Sequence, residues 1–335
     1  MTRKSKARYG LKRTYRVNPT VKALRAALMA GLMATASTVA LAAPPPVDIA
    51  IEYFESGDIT VVNATDLDAE AIYAAGGIVA ISDYGDVDIT NDGNITADAG
   101  YFYGYNALAA GIYAEAGYDA TVNNSGSISA YAYGSYGGPA RALGIYAVAG
   151  AFNGYGDAEI QNSGAIEVTT YSSSEAQSIG IAAYAEDGDV TVGNTGQIIA
   201  TSTVYADDYF TVSTATGISG YSEYGDVAIT NSGLINVAAY VYDESGYAVS
   251  TASAIGIRAS GYTVDIDNTA SIAAFASDDV YLGNSIAIGI DAEAYADITI
   301  SNTGDISLAG SSGDGYYYYS LGYPNYIRYT GDFVA

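Results

Sequence analysis

Residues 225–235 read Gly-Asp-Val-Ala-Ile-Thr-Asn-Ser-Gly-Leu-Ile, and variants of this stretch recur along most of the chain. Eight copies align on the asparagine, with spacings that range from 28 to 38 residues. The eight positions are Asn63, Asn91, Asn124, Asn162, Asn194, Asn231, Asn268 and Asn302. Self-similarity at a period of about 35 residues is typical of stacked repeat units rather than of one globular core.

A second motif, Gly-Ile, recurs in phase with the asparagine. Its glycines are Gly77, Gly111, Gly144, Gly180, Gly217, Gly256 and Gly289. Each unit has three short runs of alternating apolar residues: one at Gly-Ile, one before the asparagine, as at Val190 and Val192, and one after it, as at Ile166 and Val168. Such alternation, bounded by Gly, Asp and Asn, predicts β-strands. We therefore expect an all-β fold, a parallel β-helix (solenoid) of about seven to eight coils with one coil per repeat.

The beginning of the chain has a different composition. Nine of the 12 Lys and Arg residues lie in the first 25 positions, and an apolar run from Ala26 to about Leu41 ends in Ala-Leu-Ala. A basic segment, an apolar segment and a small-residue site are typical of a secretory signal peptide. The alternative, a membrane anchor, needs a longer apolar run, because a span takes about 20 residues. We predict cleavage after Ala42 and export of the protein.

Domain boundaries follow from these patterns. We assign residues 1–42 to the signal peptide, residues 43–50 to a Pro-rich linker, residues 51–310 to the β-helix repeats and residues 311–335 to a Tyr-rich irregular tail. Three consecutive prolines make the linker stiff and extended. No Gly-Ile follows the last repeat. The tail is therefore expected either to fold over the last coil or to lead into a longer protein, because an open coil exposes unpaired backbone groups.

Beyond the predicted leader, three arginines remain against all 37 Asp and Glu residues. So acidic a chain repels nucleic acid and anionic lipid, and we expect no nucleic-acid partner. Cys and His are absent, which excludes disulfides, thiol nucleophiles and imidazole bases. After residue 42 no apolar run is long enough to span a bilayer.

The recurrent asparagines are predicted to be structural. At a corner between two strands, and stacked in register, their amides would form a ladder that bonds each coil to the next. The alternative is a ligand bound along a row of amides, but an inward-facing ladder leaves no room for one.

An aspartate precedes the asparagine by five residues in seven of the eight copies. These residues are Asp58, Asp86, Asp119, Asp157, Asp189, Asp226 and Asp297, and Thr263 is the exception. One interpretation is a Gly-Asp turn whose carboxylate caps local backbone amides. The other is an edge of like charges that attracts Ca²⁺. On the second interpretation Ca²⁺ is the cofactor, and its candidate ligands are Asp86, Asp119, Asp157, Asp189 and Asp226.

Tyrosine, at 34 copies, is the dominant aromatic residue. Many tyrosines fall in connections of variable length between the repeats. Our candidates for binding residues on these connections are Tyr101, Tyr103, Tyr105, Tyr205 and Tyr240. Their rings suit stacking on sugars or packing on partner proteins. The alternative is that the rings cover the edge of their own coil.

A long basic leader followed by units of the form G-I-x-A … G-D-V-x-I-x-N-S-G-x-I resembles the passenger segments of Gram-negative autotransporters and adhesin-like outer-membrane proteins, over roughly residues 1–310. The resemblance implies a right-handed β-helix displayed at the cell surface for adhesion, aggregation or biofilm growth. Two parts of the family pattern are missing, the C-terminal translocator barrel and a two-partner secretion domain. Without the barrel, the expected location is the periplasm. A truncated passenger without independent function is a further alternative.

We therefore expect a structural and adhesive protein rather than an enzyme. Its expected partners are surface glycans or proteins of a host or of bacteria, with self-association as a further option. The rival is a β-helical carbohydrate-active enzyme, such as a polysaccharide lyase or hydrolase, in which clustered acids work beside a basic residue. Within the repeats only Arg141 and Arg258 are basic, and each is isolated beside a Gly-Ile. No catalytic residue is predicted.

Overall fold

A computed structural model describes residues 47–312, apart from 101–105, 135–137, 152–153, 207–209, 243–248 and 280–282, together with residues 326–329. These residues form 25 β-strands and contain no helix. The predicted signal peptide lies outside the described residues.

The strands are numbered in chain order. The first nine are β1 (Val47–Glu55), β2 (Ile59–Asn63), β3 (Leu67–Ala71), β4 (Ala74–Ser82), β5 (Val87–Asn91), β6 (Ile95–Ala99), β7 (Ala107–Glu115), β8 (Ala120–Asn124) and β9 (Ile128–Tyr133). The next nine are β10 (Ala140–Ala149), β11 (Ala158–Asn162), β12 (Ile166–Ser172), β13 (Glu175–Ala185), β14 (Val190–Asn194), β15 (Ile198–Tyr205), β16 (Phe210–Ser222), β17 (Val227–Asn231) and β18 (Ile235–Tyr242). The last seven are β19 (Val249–Gly261), β20 (Val264–Asn268), β21 (Ile272–Asp278), β22 (Asn284–Ala294), β23 (Ile298–Asn302), β24 (Ile306–Ser312) and β25 (Tyr326–Tyr329).

Three sheets run the length of the molecule, and each coil contributes one strand to each sheet. Sheet A has the order β1-β4-β7-β10-β13-β16-β19-β22-β25, sheet B the order β2-β5-β8-β11-β14-β17-β20-β23, and sheet C the order β3-β6-β9-β12-β15-β18-β21-β24. Strands of successive coils pair in parallel, as β11 does with β8 and β14. The chain is a parallel β-solenoid, which confirms the predicted fold class.

The Gly-Ile motif shapes the interior of each coil. Ala109 and Ile112 lie in the core and Tyr113 lies in a separate cluster on the outer face of sheet A, so the two-residue alternation shifts by one position at Gly111. A Cβ on Gly111 would lie 2.2 Å from the Cγ2 atom of Ile128. The missing side chain therefore makes room for an isoleucine of the third strand in the same coil.

The core is a continuous column of Ile, Val and Ala side chains drawn from all three sheets. Val192, Ile229 and Ile235 are buried, whereas Thr191 and Thr230, which are next to Val192 and Ile229 in the chain, are exposed. This follows from the alternation of side chains across a strand. It leaves the polar and aromatic residues at outward positions, where they form the surfaces described below.

Strands extend past the predicted boundaries at both ends. β1 begins at Val47, inside the segment predicted as a linker, because the alternating residues that follow the prolines continue the strand pattern. In the predicted irregular tail, β24 continues to Ser312, and β25 pairs antiparallel with β22. The added strand satisfies backbone groups along part of the last edge of sheet A.

Longer repeats place much of their extra length in strands. In sheet A, strand length rises from nine residues in β4 to 13 in β16 and β19. In sheet C, it rises from five in β6 to eight in β15 and β18. Both extensions lie at the corner between the two sheets. As a result, residues that were expected on connections lie on regular β-strands.

Candidate binding surfaces

The eight recurrent asparagines form an uninterrupted amide ladder along one corner of the solenoid. From Asn63 to Asn268, each Nδ2 group donates to the Oδ1 atom of the asparagine in the next coil, at 2.6–2.8 Å. It also donates to the backbone carbonyl two residues later in its own coil, as Asn194 does to Gly196 at 2.8 Å. In these seven residues both amide hydrogens are thus used inside the protein. This arrangement agrees with the structural interpretation of these residues.

The recurrent aspartates form a second ladder. One carboxylate oxygen of Asp157 accepts a hydrogen bond from the backbone N–H of Asp189 in the next coil, at 2.8 Å. The same contact links Asp58 to Asp86, Asp86 to Asp119, Asp119 to Asp157, Asp189 to Asp226, and Asp226 to Thr263. The carboxylates do cap backbone amides, but those of the following coil rather than those of their own turn.

This second ladder bears on the calcium hypothesis. In the part of the chain that the structure describes, no three His, Cys, Asp or Glu side chains are grouped so as to hold a metal ion. The candidate ligands Asp86, Asp119, Asp157, Asp189 and Asp226 stand in single file, one for each coil. In each of them one carboxylate oxygen already accepts a hydrogen bond from a backbone N–H of the next coil. Their arrangement therefore suits coil-to-coil bonding better than a cage of oxygen ligands around a metal ion.

An aromatic strip crosses the outer face of sheet C. We define it by seven residues at outward positions of β9, β12, β15, β18 and β21. They are Tyr131, Tyr133, Tyr171, Tyr205, Tyr240, Tyr242 and Phe275. With strands about 4.8 Å apart, five coils give the strip a length of roughly 19 Å.

Ring contacts join neighbours within the strip. The ring centroids of Tyr205 and Tyr242 are 5.5 Å apart, and those of Tyr240 and Tyr242 are 6.0 Å apart with planes only 5° from parallel. Tyr240 also meets Phe275 at 5.4 Å in a tilted contact. The strip is open to solvent, since Tyr205 is 56% exposed. These rings therefore form a surface on which a ligand could stack.

Hydroxyl groups lie between the rings. Thr169 on β12 is the register partner of Tyr131 on β9, and Thr201 on β15 is the register partner of Thr169. Beside them is a shallow depression of about 250 Å³ lined by Thr201, Ala238 and Phe275, among others. The strip thus combines flat apolar faces with neutral hydrogen-bonding groups, as carbohydrate ligands require.

Two phenols of the strip, those of Tyr131 and Tyr242, hold their protons more tightly than usual. Burial, followed by the effects of Tyr171 and Asp98, raises the pKa of Tyr131. Burial and the neighbouring Tyr240 likewise raise the pKa of Tyr242. These two phenols are therefore neutral at neutral pH, and Asp98 is an acidic group that acts on Tyr131.

Two arginines form ion pairs with carboxylates on sheet A, away from the aromatic strip. Arg141 donates to Glu175 at 2.9 Å, and Arg258 contacts Asp291 at 3.2 Å. These are the two basic side chains within the described stretch of residues 47–312. Both carry their own counter-ion, so neither is poised to neutralise an anionic ligand or to assist a cluster of acids.

Two of the five tyrosine candidates can be placed in the structure. Tyr101, Tyr103 and Tyr105 lie outside the described residues. Tyr205 and Tyr240 lie on strands β15 and β18, rather than on the connections where they were expected. The cause is the lengthening of the sheet C strands in the longer repeats.

Sequence reasoning did not single out Tyr131, Tyr133, Tyr171, Tyr242 and Phe275. A usable signal was present. These residues stand seven, nine or eleven positions after the recurrent asparagine, whereas the inward aliphatic residues stand four and six positions after it. Odd offsets point outward once the strand is known to extend that far.

A polar groove lies over the asparagine corner. Its volume is about 550 Å³, and its walls are two rows of residues that flank the ladder. One row is Thr90, Asn123, Gln161, Gly193 and Thr230, and the other is Asp92, Ser125, Ser163, Thr195 and Ser232. The groove is neutral apart from Asp92 and has no aromatic wall, so we rank it below the aromatic strip as a ligand site.

Among the described residues, no helix has the length and apolar character needed to cross a membrane. Searches against protein-family models, curated proteins and solved structures find no match to the chain.

Proposed function

We propose that this protein is an exported adhesive β-solenoid that binds neutral glycans along the aromatic strip. The observation that carries the proposal is the alignment of seven aromatic residues, from five successive coils, on one outward face. A solenoid frame with variable surface residues is a common basis for extended recognition surfaces. The expected partners are glycans on the surface of another cell.

Several features favour a neutral glycan over a charged one. Aromatic faces pack against the apolar faces of sugar rings, and threonine hydroxyls beside them offer hydrogen bonds to sugar hydroxyls. The surroundings are acidic, and Arg141 and Arg258 are already paired with carboxylates. An anionic polysaccharide or a nucleic acid would therefore be repelled.

The test removes two rings from the centre of the strip. In the variant Tyr205→Ser with Tyr240→Ser, binding to immobilised neutral polysaccharides should weaken by roughly thirtyfold, if each ring contributes about 1 kcal/mol. Circular dichroism should remain that of the parent, because both side chains are at outward positions. Adherence of protein-coated beads to a glycan surface should fall in parallel.

The matched control is Tyr295→Ser, which removes an exposed tyrosine from a turn far from the strip. It should bind as the parent does. Equal binding by the double variant and the parent would contradict a glycan site on the strip. We also expect no hydrolase or lyase activity, and release of reducing or unsaturated sugars from acidic polysaccharides would instead favour the carbohydrate-active enzyme.

Export has its own test. The mature protein is expected to begin at Ala43, because Ala40 and Ala42 supply the small residues that signal peptidase requires. Intact-mass measurement of protein from the cell envelope would detect this cleavage. An uncleaved leader on protein from the cytoplasm would contradict the proposed location while leaving the glycan assay open.

A further inference from the structure

Two pairs of tyrosines on the outer face of sheet A are matched in geometry and differ in exposure. Tyr184 and Tyr221 are register partners on β13 and β16, with ring centroids 5.3 Å apart and planes 5° from parallel. Tyr113 and Tyr146 are register partners on β7 and β10, with centroids 5.4 Å apart and planes 8° from parallel. Each pair joins two successive coils.

Solvent reaches only one of these pairs. Tyr221 is 40% exposed and Tyr184 is partly exposed. Tyr113 is 0% exposed and Tyr146 is 4% exposed, and the Tyr113 hydroxyl donates to Glu115 at 2.7 Å. Any reagent that acts on phenols in the folded protein should therefore discriminate strongly between the two pairs.

A reaction that links two tyrosines covalently could brace this chain, as a disulfide would. The chain has 34 tyrosines and no cysteine, so no disulfide can brace the solenoid. A covalent bond between coils restricts the unfolded chain, and the restriction is larger when the closed loop is longer. Between Tyr184 and Tyr221 the loop is one full repeat.

We propose that Tyr184 and Tyr221 form a site of oxidative cross-linking, at which a haem peroxidase with hydrogen peroxide joins the two rings as dityrosine. Each phenol gives up one electron and one proton and becomes a phenoxyl radical. The radicals form a carbon–carbon bond between ring positions ortho to the oxygens, and each ring then transfers its displaced ortho hydrogen to oxygen. Overall, two phenols and one peroxide give one dityrosine and two waters.

The local structure is suited to this coupling. Both rings project from register-paired residues on strands about 4.8 Å apart, so side-chain rotation alone brings the ortho carbons together. Burial, and then the charge of Glu186, raises the pKa of Tyr184 to about 12. The phenols are thus neutral at physiological pH, so each oxidation passes one electron to the peroxidase haem and releases one proton to the surrounding water.

This proposal does not depend on glycan binding. Tyr184 and Tyr221 lie on sheet A, whereas the aromatic strip lies on sheet C. Loss of the glycan interaction would leave the cross-linking test unaffected, and failure of the cross-link would leave the strip unaffected.

The experiment treats the purified full chain, at low protein concentration, with a haem peroxidase and a small excess of peroxide. The product is denatured, digested with a protease that cuts after acidic residues, and analysed by mass spectrometry. We expect a peptide pair that links Tyr184 to Tyr221 and has two hydrogens fewer than the sum of its parts. Dityrosine fluorescence should rise while the protein stays monomeric on a denaturing gel.

Two variants and one internal control make the outcome decisive. Tyr184→Phe and Tyr221→Phe each keep the stacked ring but remove the oxidisable hydroxyl, and each should abolish the cross-linked pair. Tyr155→Phe, which removes an exposed phenol on the connection between β10 and β11, should leave it unchanged. The buried pair Tyr113–Tyr146 should stay uncoupled in every sample.

Three results would overturn the proposal. The first is absence of the Tyr184–Tyr221 link in protein whose other exposed tyrosines have reacted. The second is coupling of the buried pair to the same extent, which would show that exposure does not select the site. The third is cross-linking only between separate molecules. A higher midpoint of thermal unfolding in the cross-linked monomer than in the Tyr221→Phe variant treated alike would support the bracing role.

Discussion

At the scale of single residues, side chains at repeated positions work through contacts with the same position in the next coil. Asparagine and aspartate each build a ladder because each has an oxygen that accepts a hydrogen bond from an adjacent coil, the preceding coil for asparagine and the following coil for aspartate. A residue in such a ladder affects two interfaces at once. Its loss therefore costs more than the loss of one isolated hydrogen bond.

For the amide ladder we predict that Asn194→Ala lowers the free energy of unfolding by roughly 1–3 kcal/mol, since buried polar groups on both sides lose partners. Asn162 loses its acceptor, and Asn231 loses its donor. Urea denaturation followed by circular dichroism measures the change. Asn123→Ala, at an exposed position one residue before a ladder asparagine, is the matched control and should change stability by less than about 0.5 kcal/mol. Equal effects of both variants would contradict the ladder.

A second residue-scale prediction concerns pH. Burial, and then the charges of Glu70 and Asp68, raises the pKa of Asp98 above its usual value. The folded protein thus holds this proton more tightly than the unfolded chain does. Its contribution to stability is complete at acid pH and is lost as pH rises through the raised pKa. Asp98→Asn should therefore stabilise the protein at about pH 7, but not at about pH 3, where the parent carboxyl is already protonated.

The effect of Asp98→Asn should stay within about 1 kcal/mol, because this side chain is exposed enough for solvent to screen it. Asp88→Asn is the control, since the strand neighbours of Asp88 are the neutral Thr60 and Thr121. Urea melts of the three proteins at both pH values test the prediction. A larger gain at acid pH than at neutral pH would reverse the assigned sign.

At the scale of strands and coils, inward residues stabilise the coil by packing, whereas outward residues form its surface. Ile235 fills the space beside Gly217, where a Cβ would lie 2.5 Å from its Cγ2 atom, so the two residues form one packing unit. Five residues earlier, Thr230 points to solvent from the same coil. The strand alternation thus separates residues that hold the coil together from residues that present a surface.

For this element we predict that Ile235→Asp unfolds its own coil and those adjacent to it, because a carboxylate in so narrow a core costs several kcal/mol. Thr230→Asp should be tolerated with a change of less than about 0.5 kcal/mol. Amide hydrogen exchange can follow β15, β18 and β21 separately. Protection lost equally in both variants, or in neither, would mean that the inward assignment is wrong.

At the scale of the whole molecule, charge opposes the compact state. Three arginines against 37 acidic residues, once the predicted leader is removed, leave strong self-repulsion. Repulsion of this kind is screened by salt, since the Debye length falls from about 30 Å at 0.01 M to about 8 Å at 0.15 M. The solenoid should therefore depend on ionic strength for part of its stability.

We predict that raising NaCl from about 10 mM to about 150 mM increases the midpoint of thermal unfolding. At equal ionic strength, CaCl₂ and MgCl₂ should give similar midpoints. The reason is that one carboxylate oxygen of each aspartate in the ladder accepts a hydrogen bond from a backbone N–H, and the aspartates stand one to a coil. Differential scanning fluorimetry provides the comparison. A rise specific to calcium, and its loss in Asp189→Asn, would instead establish the calcium hypothesis.

Properties that repeat could be predicted from the chain alone. The period of the asparagine and the alternation of apolar residues gave the coil, its three strands, the inward residues and the amide ladder, because each depends only on local spacing and on the two-residue period of a strand. The Gly-Ile glycines also recur visibly in the sequence, but only the structure shows that they make room for an isoleucine of the same coil.

Other features became visible only when the coils were stacked. Tyr131, Tyr171 and Phe275 are far apart in the chain, and repeat spacings that vary from 28 to 38 residues do not say which of them become neighbours. The aspartate contact with the following coil, the pairing of β25 and the aromatic strip all depend on register between strands of different coils. Register is set by packing along the whole stack and by how much of each longer repeat continues as strand, and neither is a local property of the sequence.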